Sequence, residues 1–429
     1  MSSSKADVVV LGGGLIGLAT AYELAKRGRE VTVLERHEAG GDQSRHALGF
    51  LSLVVKGAAK ARLSARAVEQ WAALPGELEA DFELRRGGEL AVATDAAAFQ
   101  RLRDWSAGAA ASGIDARVVD PDEIAKLVPG FRRPTPGGVL VAAAGHAEPL
   151  KAPLAYAAAA RRRGVTIREH CPATAIEVVD GRIAGVRTAA GPIAARTVVC
   201  ATGAANTRVL RTVGVRLPTV VVRGLALETA PLPAVTEVAT MVGGLAFRQR
   251  PGGTLYVSYI TRGIHDLTLD SFRFMREFLP SRNRSSLARV RLNDTLARDV
   301  WRSLAHRSGR TPAIDPRPLV RLRSPRGVVE ESVRIMESLS PAFAGLEVRR
   351  DWSEAIDVTP DDLPVLGPVA TVEGLIVASG FSGHGFTLGP LAGRLVAELV
   401  VDGRASEDLH PLRLARFAEG DFTPSGARL

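Results

Sequence analysis

Apolar positions at the start of the chain first follow the pattern of a strand and then that of a helix. Residues 7–11 form a short continuous apolar run, which is typical of a strand buried on both faces. Helical spacing follows over residues 15–27 and stops at Gly28, and a second apolar strand is predicted over residues 30–34. The chain is therefore predicted to begin with a strand–helix–strand unit.

The same patterns return in the middle and at the end of the chain. The elements predicted there are a helix at 156–163, strands at 165–169 and 197–201, the end of a strand at 377–380, and a hairpin that turns at Asp180-Gly181. A last helix is predicted from Pro390 to about Val401, because proline suits a first helical turn and Gly403 is a stop signal.

Two other regions have a different pattern, which is typical of an antiparallel sheet. Residues 82–94 and 245–260 are rich in strand-forming residues and contain Gly-Gly turns, and residues 272–279 have a helical pattern. We expect a mostly antiparallel sheet with helices behind it. These regions interrupt the strand–helix pattern, so the sheet is predicted to be built from insertions into the first unit.

Glycines follow the first strand with the spacing G-x-G-x-x-G, at Gly12, Gly14 and Gly17. The first permits a tight turn, the second lets the backbone approach a pyrophosphate, and the third packs the helix against the strand. Glu35 ends the second strand, where an acid accepts hydrogen bonds from an adenosine ribose. The complete unit predicts a Rossmann-type dinucleotide site that includes Leu15, Ile16 and Arg36.

Composition and charge narrow the class of protein. The 429 residues are 46% hydrophobic and 24% charged, as in a water-soluble globular protein with two domains. The net charge of +9 is scattered and forms no basic stripe, so no nucleic-acid partner is predicted. The sequence shows no membrane-spanning run and no signal-peptide core at its start, so we expect a cytoplasmic protein. Cys171 and Cys200 lack metal-ligand spacing, and no metal site is predicted.

A second glycine-rich loop lies at the other end of the chain, in the stretch GFSGHGFTLGP that begins at Gly380. A nicotinamide enzyme has no need of it, whereas FAD is longer and its isoalloxazine must be held separately. Ser44 and Arg45, in the segment that follows the second strand, are placed to donate hydrogen bonds to the pyrophosphate or ribityl chain. These features predict FAD as the cofactor.

The motifs together resemble the glycine oxidase/sarcosine oxidase branch of the D-amino-acid oxidase family of flavoproteins. The segments that carry the resemblance are GGGLIGLATAYELAKRG, GHAEPLKAPLAYAAAARRRGV, GRIAGVRTAAGPIAARTVVCATGA, WSEAIDVTPDDLPVLGP and GFSGHGFTLGP. The last two also resemble catalytic subunits of opine and hydroxyproline dehydrogenases. The resemblance implies an α/β fold in which a Rossmann-type FAD-binding domain is interleaved with an α+β substrate domain on a mostly antiparallel sheet.

The resemblance also implies domain boundaries and further cofactor contacts. The FAD-binding domain is expected to comprise 1–81, 145–217 and 346–429, and the substrate domain 82–144 and 218–345. Ala173 and the turn Thr202-Gly203 are expected at the cofactor. The last helix should point its N-terminus, which carries partial positive charge, at the pyrimidine end of the flavin. That clamp comprises Gly383, His384, Gly385, Phe386 and Thr387.

Two histidines have alternative interpretations. Relatives that act on dimethylglycine attach FAD through a histidine in a His-Ala-Ala-Gly motif, and this chain has His46-Ala47-Leu48-Gly49, with Arg45 in place of the usual tryptophan. We expect His46 to be a non-covalent neighbour of the ring, and covalent attachment and a surface position stay open. His384 is expected at the flavin, and the alternatives are a base or a ring that only supports its loop.

The usual substrate anchors of the family are missing. Ile356 stands at the position of the carboxylate-binding arginine, and Thr387 at that of a lysine. Arg248, with Tyr256 on the partner strand, is the predicted substitute, because a carboxylate needs a bidentate donor. The alternative for Arg248 is a solvated strand residue. Asp357 and Asp361 are interpreted as turn-formers.

The expected activity is oxidation of a C–N bond in a D-amino acid, N-alkyl amino acid, imino acid or opine, with hydride transfer to flavin and hydrolysis of the imine. Two alternatives stay open: a flavin-dependent 2-hydroxy-acid dehydrogenase, and an FAD-binding subunit of a larger dehydrogenase complex. Beyond the small-molecule substrate, an electron-accepting partner subunit or a homo-oligomer is the expected partner.

Overall fold

The structure is a computed structural model that describes residues 4–261, 263–281, 289–307, 314 and 324–425. The strands are β1 (Ser4–Lys5), β2 (Val8–Leu11), β3 (Val31–Leu34), β4 (Phe50–Leu51), β5 (Glu89–Val92), β6 (Arg117–Val119), β7 (Gly138–Val141), β8 (Gly145–His146), β9 (Thr166–Arg168), β10 (Ala173–Val179), β11 (Arg182–Thr188), β12 (Gly191–Ala194), β13 (Thr197–Cys200), β14 (Val220–Thr229), β15 (Ala239–Val242), β16 (Leu245–Gln249), β17 (Leu255–Tyr259), β18 (Ile264–Asp266), β19 (Arg289–Arg291), β20 (Val348–Val358), β21 (Val365–Pro368) and β22 (Leu375–Ser379). The helices are α1 (Leu15–Lys26), α2 (Gln43–His46), α3 (Ala58–Leu78), α4 (Ala96–Ala109), α5 (Pro121–Leu127), α6 (Lys151–Arg162), α7 (Asn206–Arg211), α8 (Leu269–Arg273), α9 (Met275–Phe278), α10 (Asp294–Arg307), α11 (Arg326–Leu339), α12 (Gly385–Asp402) and α13 (Arg416–Glu419).

Sheet 1 is the dinucleotide-type sheet, with strand order β21-β22-β13-β2-β3-β9. The ladders from β22 to β9 are parallel, and β21 is antiparallel to β22. Val9 and Val10 of β2 are fully buried on opposite faces of this sheet. Burial on both faces explains why the strand is a continuous apolar run.

Sheet 1 is covered by different structures on its two faces. Val8 and Val10 pack in one apolar core with helices α1, α6 and α12. Val9 and Leu11 pack in a second core with sheet 2, whose strand order is β1-β12-β11-β10. Sheet 2 contains the predicted hairpin, which turns at Asp180-Gly181. This half of the molecule therefore has three layers.

Sheet 3 is the larger sheet, with order β19-β18-β14-β17-β16-β15-β5-β7-β6 and β20 paired to β14. Its described ladders are antiparallel except β15·β5 and β18·β19, as the sequence predicted. Helix α11 packs on one face, where Val328 and Met336 join the apolar core of Phe247 and Val257. The opposite face lines the cavity described below.

Three predicted helices have different bounds in the structure. Helix α12 begins at Gly385 rather than Pro390, because tertiary contacts hold an additional first turn: the Thr387 hydroxyl donates to the Phe50 carbonyl, and Trp71 Nε1 donates to the Thr387 carbonyl at 2.9 Å. Helix α6 begins at Lys151 rather than at 156, and the 272–279 helix breaks at Phe274 into α8 and α9. Across the described ranges, none of the helices has both the length and the apolar content needed to cross a membrane.

Candidate active site

Two helices from opposite ends of the chain lie side by side with their N-termini at the same end. The Cα of Gly389 lies against Leu15, and that of Gly393 lies against Ala19, so α1 and α12 run in the same direction. A Cβ on Gly393 would lie 2.6 Å from the Ala19 Cβ, a contact that only glycine avoids. Because helix N-termini carry partial positive charge and free N–H groups, this pair creates a site suited to negative charge.

A cavity of about 1010 Å³ lies at these N-termini. Its wall runs from the carboxyl ends of β2 and β3, past α2 and the first turn of α12, to one face of sheet 3. That volume is at the upper end of the range for ligand and cofactor sites. The cavity is therefore large enough for an extended dinucleotide with a substrate beside it.

The dinucleotide end of the cavity is built from the glycine turn after β2. A Cβ on Gly12 would lie 2.4 Å from the Ala201 carbonyl oxygen, and one on Gly17 would lie 2.0 Å from the Gly12 carbonyl oxygen. The Glu35 carboxylate accepts hydrogen bonds from the Gly13 N–H at 2.6 Å and the His37 N–H at 2.8 Å. The Leu15 N–H, in the first turn of α1, donates to Ser44 Oγ at 2.8 Å. The turn, the acid and the helix N-terminus are thus held together as the sequence predicted.

Most of the residues assigned to the cofactor line this one cavity. They are Gly12, Gly14, Leu15, Ile16, Glu35, Arg36, Ser44, His46, Ala173, Thr202, Gly203, Gly383, His384, Gly385, Phe386 and Thr387. Among the described residues, Gly17 and Arg45 are not part of the wall. Gly17 acts through helix–strand packing, and the predicted donor role of Arg45 has no support because its side chain is not at the cavity.

The loop before α12 is fixed by a buried acid. Asp357 accepts hydrogen bonds from the Gly380 N–H at 2.6 Å and the Ser379 hydroxyl at 3.0 Å. Burial raises the pKa of this carboxyl. Asp361 forms a buried ion pair with Arg416 instead, at 2.7 Å between Oδ2 and Nε. Both aspartates therefore organise turns, and they do not form an acid–base pair.

The two candidate histidines line the cavity in different ways. His384 is the residue before the first turn of α12, and its Nδ1 lies 3.2 Å from the Ser382 carbonyl oxygen. The backbone carbonyl of His46 accepts from Trp352 Nε1 at 3.0 Å, and the two rings are 6.2 Å apart. Burial lowers the pKa of the His46 imidazole, and the Arg45 guanidinium lowers it further. His46 thus lines the wall with its ring beside that of Trp352.

The structure contradicts the prediction that Arg248 and Tyr256 hold the substrate. Both are described, and neither lines the cavity. Arg248 is 1% exposed, donates from Nε to the Leu48 carbonyl, and places Nη2 3.6 Å from Glu148 Oε2. Its guanidinium stacks on the Tyr256 ring at 4.7 Å, and the Tyr256 hydroxyl accepts from Arg350. The pair is a buried structural cluster behind the wall.

Sequence reasoning missed two arginines that do line the cavity. Arg133, in the loop between α5 and β7, lies over Gly243, where a Cβ would be 2.8 Å from Nη1. Arg101 of α4 lines the same region of sheet 3 and is exposed. In the described part of the chain no hydrogen bond or ion pair joins either guanidinium to another residue. Nothing in the local sequence marks them, because their elements are placed by tertiary packing.

Glu354 was also missed. It lies on β20 two residues before Ile356, so both side chains are on one face of sheet 3, and both line the cavity. Burial alone raises the pKa of the Glu354 carboxyl to about 8. The alternation of a strand starting from Ile356 was the signal that would have found it.

Comparison with known proteins decides the family. The family model described as DAO, FAD dependent oxidoreductase, matches residues 7–399. The chain belongs to this family. It is an FAD-dependent oxidoreductase, and the predicted cofactor and the resemblance to the glycine oxidase/sarcosine oxidase branch are confirmed.

Relatives of this FAD-dependent oxidoreductase cover nearly its whole length. It is 27% identical over 425 residues to the sarcosine oxidase subunit beta of an Arthrobacter species, covering 96% of this chain and 91% of that protein. It is 25% identical to the glycine oxidase of Pseudomonas putida, covering 94% and 97%. The solved structure of L-amino acid deaminase from Proteus vulgaris matches with a TM-score of 0.89 at 23% identity, covering 97% and 99%. That likeness shows a shared fold.

Proposed function

We propose that this flavoenzyme oxidises the C–N bond of an amino acid or a secondary amine to an imine, which water then hydrolyses. The observation that carries the proposal is the continuous cavity that runs from the dinucleotide turn to the face of sheet 3. The names of the relatives, sarcosine oxidase and glycine oxidase, support an amine as substrate.

Bound FAD supplies the hydride acceptor. The residues proposed to hold it are those of the glycine turn, Glu35, Ser44 and the first turn of α12. The free N–H groups at the start of α12 face the cavity and favour the negative charge that a reduced ring carries. Thr387 fixes that first turn, since its hydroxyl also accepts from the Ser52 N–H at 3.1 Å. These residues orient the ring and require no movement during the reaction.

Arg133, assisted by Arg101, is proposed to bind the substrate carboxylate in place of the missing family anchors. Their guanidiniums lie by the sheet face, where Met241 and Gly243 also line the cavity. A guanidinium that none of the described residues engages is a strong donor for a carboxylate. A charged residue is then not required at position 356, because Arg133 binds the substrate carboxylate from another side of the cavity.

Anaerobic titration of the purified flavoprotein tests the activity. The flavin absorbance is followed against amino acids, N-methyl amino acids, imino acids and 2-hydroxy acids. We expect bleaching by one amine class and none by hydroxy acids. An enzyme whose flavin is bleached only by hydroxy acids, or by nothing in the panel, contradicts the proposal.

The alternative hydroxy-acid activity is separated by His384→Ala. An alcohol must lose its O–H proton to a base, so the variant would lose activity by orders of magnitude if His384 performed that step. The position of Nδ1 beside the Ser382 carbonyl favours a supporting role. We expect the amine-dependent bleaching rate to fall by about tenfold or less, in the range of a lost contact rather than a lost base.

The electron acceptor is proposed to be a partner protein or oxygen. One relative is named as a subunit, which supports a multi-subunit assembly for this chain too. Admitting air to the bleached enzyme separates the two: rapid return of the flavin absorbance identifies an oxidase. A return only with an artificial dye indicates that a partner normally takes the electrons.

A further inference from the structure

The part of sheet 3 that lines the cavity is a row of small or uncharged side chains. Strand pairing places Ala91 beside Met241, Met241 beside Ala246, and Ala246 beside Ser258. Directly paired residues project from the same face, so these side chains form one floor. Each of them lines the cavity. The floor therefore carries little charge and would contact a ligand mainly through its shape.

Glu354 is the exception at the end of this floor. It pairs with Gly224, whose Cα lies beneath it: a Cβ there would be 3.1 Å from both Cγ and Oε1 of Glu354. Strand β20 also contacts α2 and the 203–205 turn, two segments assigned to the cofactor. No hydrogen bond or ion pair joins the Glu354 carboxyl to another side chain or backbone group in the described part of the chain.

We propose that Glu354 pairs with the substrate nitrogen and takes one proton from its ammonium group before the C–N bond is oxidised. This inference rests on the proposed amine oxidation. The step is a proton transfer alone: an N–H bond of the ammonium breaks, an O–H bond forms on Glu354, and the nitrogen lone pair becomes free. A neutral amine is required because that lone pair forms the C=N bond as the hydride leaves the α-carbon.

Burial gives Glu354 the basicity for this step. An ordinary glutamate has a pKa about six units below that of an aliphatic amine, whereas a carboxyl with a pKa of about 8 is within about two units of it. The remaining gap is small enough for the substrate to lose its proton inside the cavity. Pairing with the ammonium also gives this carboxylate a partner that none of the described residues provides.

The charged groups near Glu354 are compatible with this role. Arg223 of β14 projects from the opposite face and is paired with Asp266 at 2.8 Å. Glu228 at the end of β14 is paired with Arg350. Other titratable residues on β20 and on the elements that contact it include Arg349, Asp351, Asp357, Arg45 and His46, and Tyr256 of β17, which contacts Trp352 and Arg350. The pKa of Glu354 is raised by burial alone, so no charge among these groups acts on it strongly.

Counting protons on binding tests the proposal without turnover. The probe is 2-aminoisobutyrate, because the one carbon bonded to its nitrogen carries no hydrogen that could leave as hydride. Calorimetric titration of the holoenzyme in buffers of different ionisation enthalpy gives the protons released. Before binding, the Glu354 carboxyl is mostly protonated at pH 7 and mostly ionised at pH 9, and the amine carries its proton at both. Because the bound pair holds one proton between the carboxyl and the nitrogen, binding should release about 0.9 proton at pH 7 and about none at pH 9.

Glu354→Gln removes the titrating group at nearly constant shape. With this variant the proton count should change by about 0.1 or less between pH 7 and pH 9, whether the amine binds charged or neutral. Glu354→Asp should keep the pH-dependent release. Glu330→Gln, the same change on an exposed face of α11, is the control and should behave as wild type.

The pH profile of kcat/KM gives a second readout. Wild type should show an inflection near pH 8, and in Glu354→Gln it should move to the pKa of the substrate amine, about 10.

The proposal is overturned if the wild-type proton count is the same at pH 7 and pH 9, or if Glu354→Gln keeps the wild-type change. The wild-type count suffices even if the variant does not fold. Failure of every amine to bind or to bleach the flavin instead contradicts the proposed function.

Discussion

At the scale of single residues, the proposed substrate end of the cavity is defined by side chains that have no partner among the described residues. Arg133 and Glu354 both line the cavity, and neither is paired within the described residues. Arg248, by contrast, is paired and buried although its sequence position looked favourable. A binding role therefore depends on what surrounds a charge more than on the type of charge.

Replacing Arg133 should weaken substrate binding more than turnover. In Arg133→Met we expect KM for a carboxylate-bearing amine to rise roughly tenfold or more, since a hydrogen bond to a charged group contributes about 1.5–3 kcal/mol. The measurement is steady-state kinetics with the amine substrate and with its methyl ester. The ester lacks the anion and should be affected much less.

Arg86→Met is the matched control, because Arg86 is exposed and does not line the cavity. Its KM should equal that of wild type. An unchanged KM in Arg133→Met, or an equal loss with the acid and the ester, would show that the carboxylate is bound elsewhere.

At the scale of elements, two helices separated by the length of the chain are packed so closely that glycine is required between them. The backbone of α12 at Gly389 and Gly393 lies directly on α1. This contact brings both N-termini to the cavity. Thr387 and Trp71 then hold the first turn of α12 in place.

Gly393→Ala should destabilise the holoenzyme although alanine is the better helix former. The new Cβ would lie 2.6 Å from Ala19, and overpacking of this kind costs about 1–3 kcal/mol. Thermal unfolding and the FAD content after gel filtration are the measurements, and both should decrease.

Gly108→Ala is the control within a helix. No atom lies within 4 Å of a Cβ at Gly108 of α4, so that variant should be stabilised by about 0.5–1 kcal/mol. If Gly393→Ala is as stable as Gly108→Ala, the two helices are not in the close contact described.

At the scale of the whole molecule, the cavity is enclosed by three distant parts of the chain. The glycine turn comes from the N-terminus, the sheet floor from the middle, and the α12 loop from the C-terminus. The interleaved division into FAD-binding and substrate domains stays a prediction, and β20, which lies within the predicted FAD-binding segment 346–429, pairs with β14 in sheet 3. A ligand that contacts all three parts should stabilise the fold as a unit.

Removing FAD should therefore lower the melting temperature, and adding it back should restore it. At a free concentration one hundred times its Kd, a ligand adds about 2.7 kcal/mol of stability.

Because His46 is held through its backbone and Arg45 replaces the usual tryptophan, we expect acid precipitation to release all the flavin into the supernatant. A yellow pellet that turns colourless in His46→Ala would instead demonstrate covalent attachment.

The sequence by itself determined the local backbone and the cofactor class. The apolar runs, the G-x-G-x-x-G turn and Glu35 specify conformations within a few residues, and the structure has them where they were predicted. The hairpin at Asp180-Gly181 and the antiparallel strands of sheet 3 follow from the same short-range patterns.

Only the tertiary structure decided where α12 begins and which charged groups face the cavity. Pro390 suggested a later start, yet Trp71 and Phe50 hold an additional turn. Arg248 turns to Glu148, whereas Arg133 and Glu354 face the cavity. These outcomes depend on pairing between residues far apart in sequence. A local pattern predicts on which face of a strand a side chain lies. Only the packing of distant segments decides which residues or which cavity that face contacts.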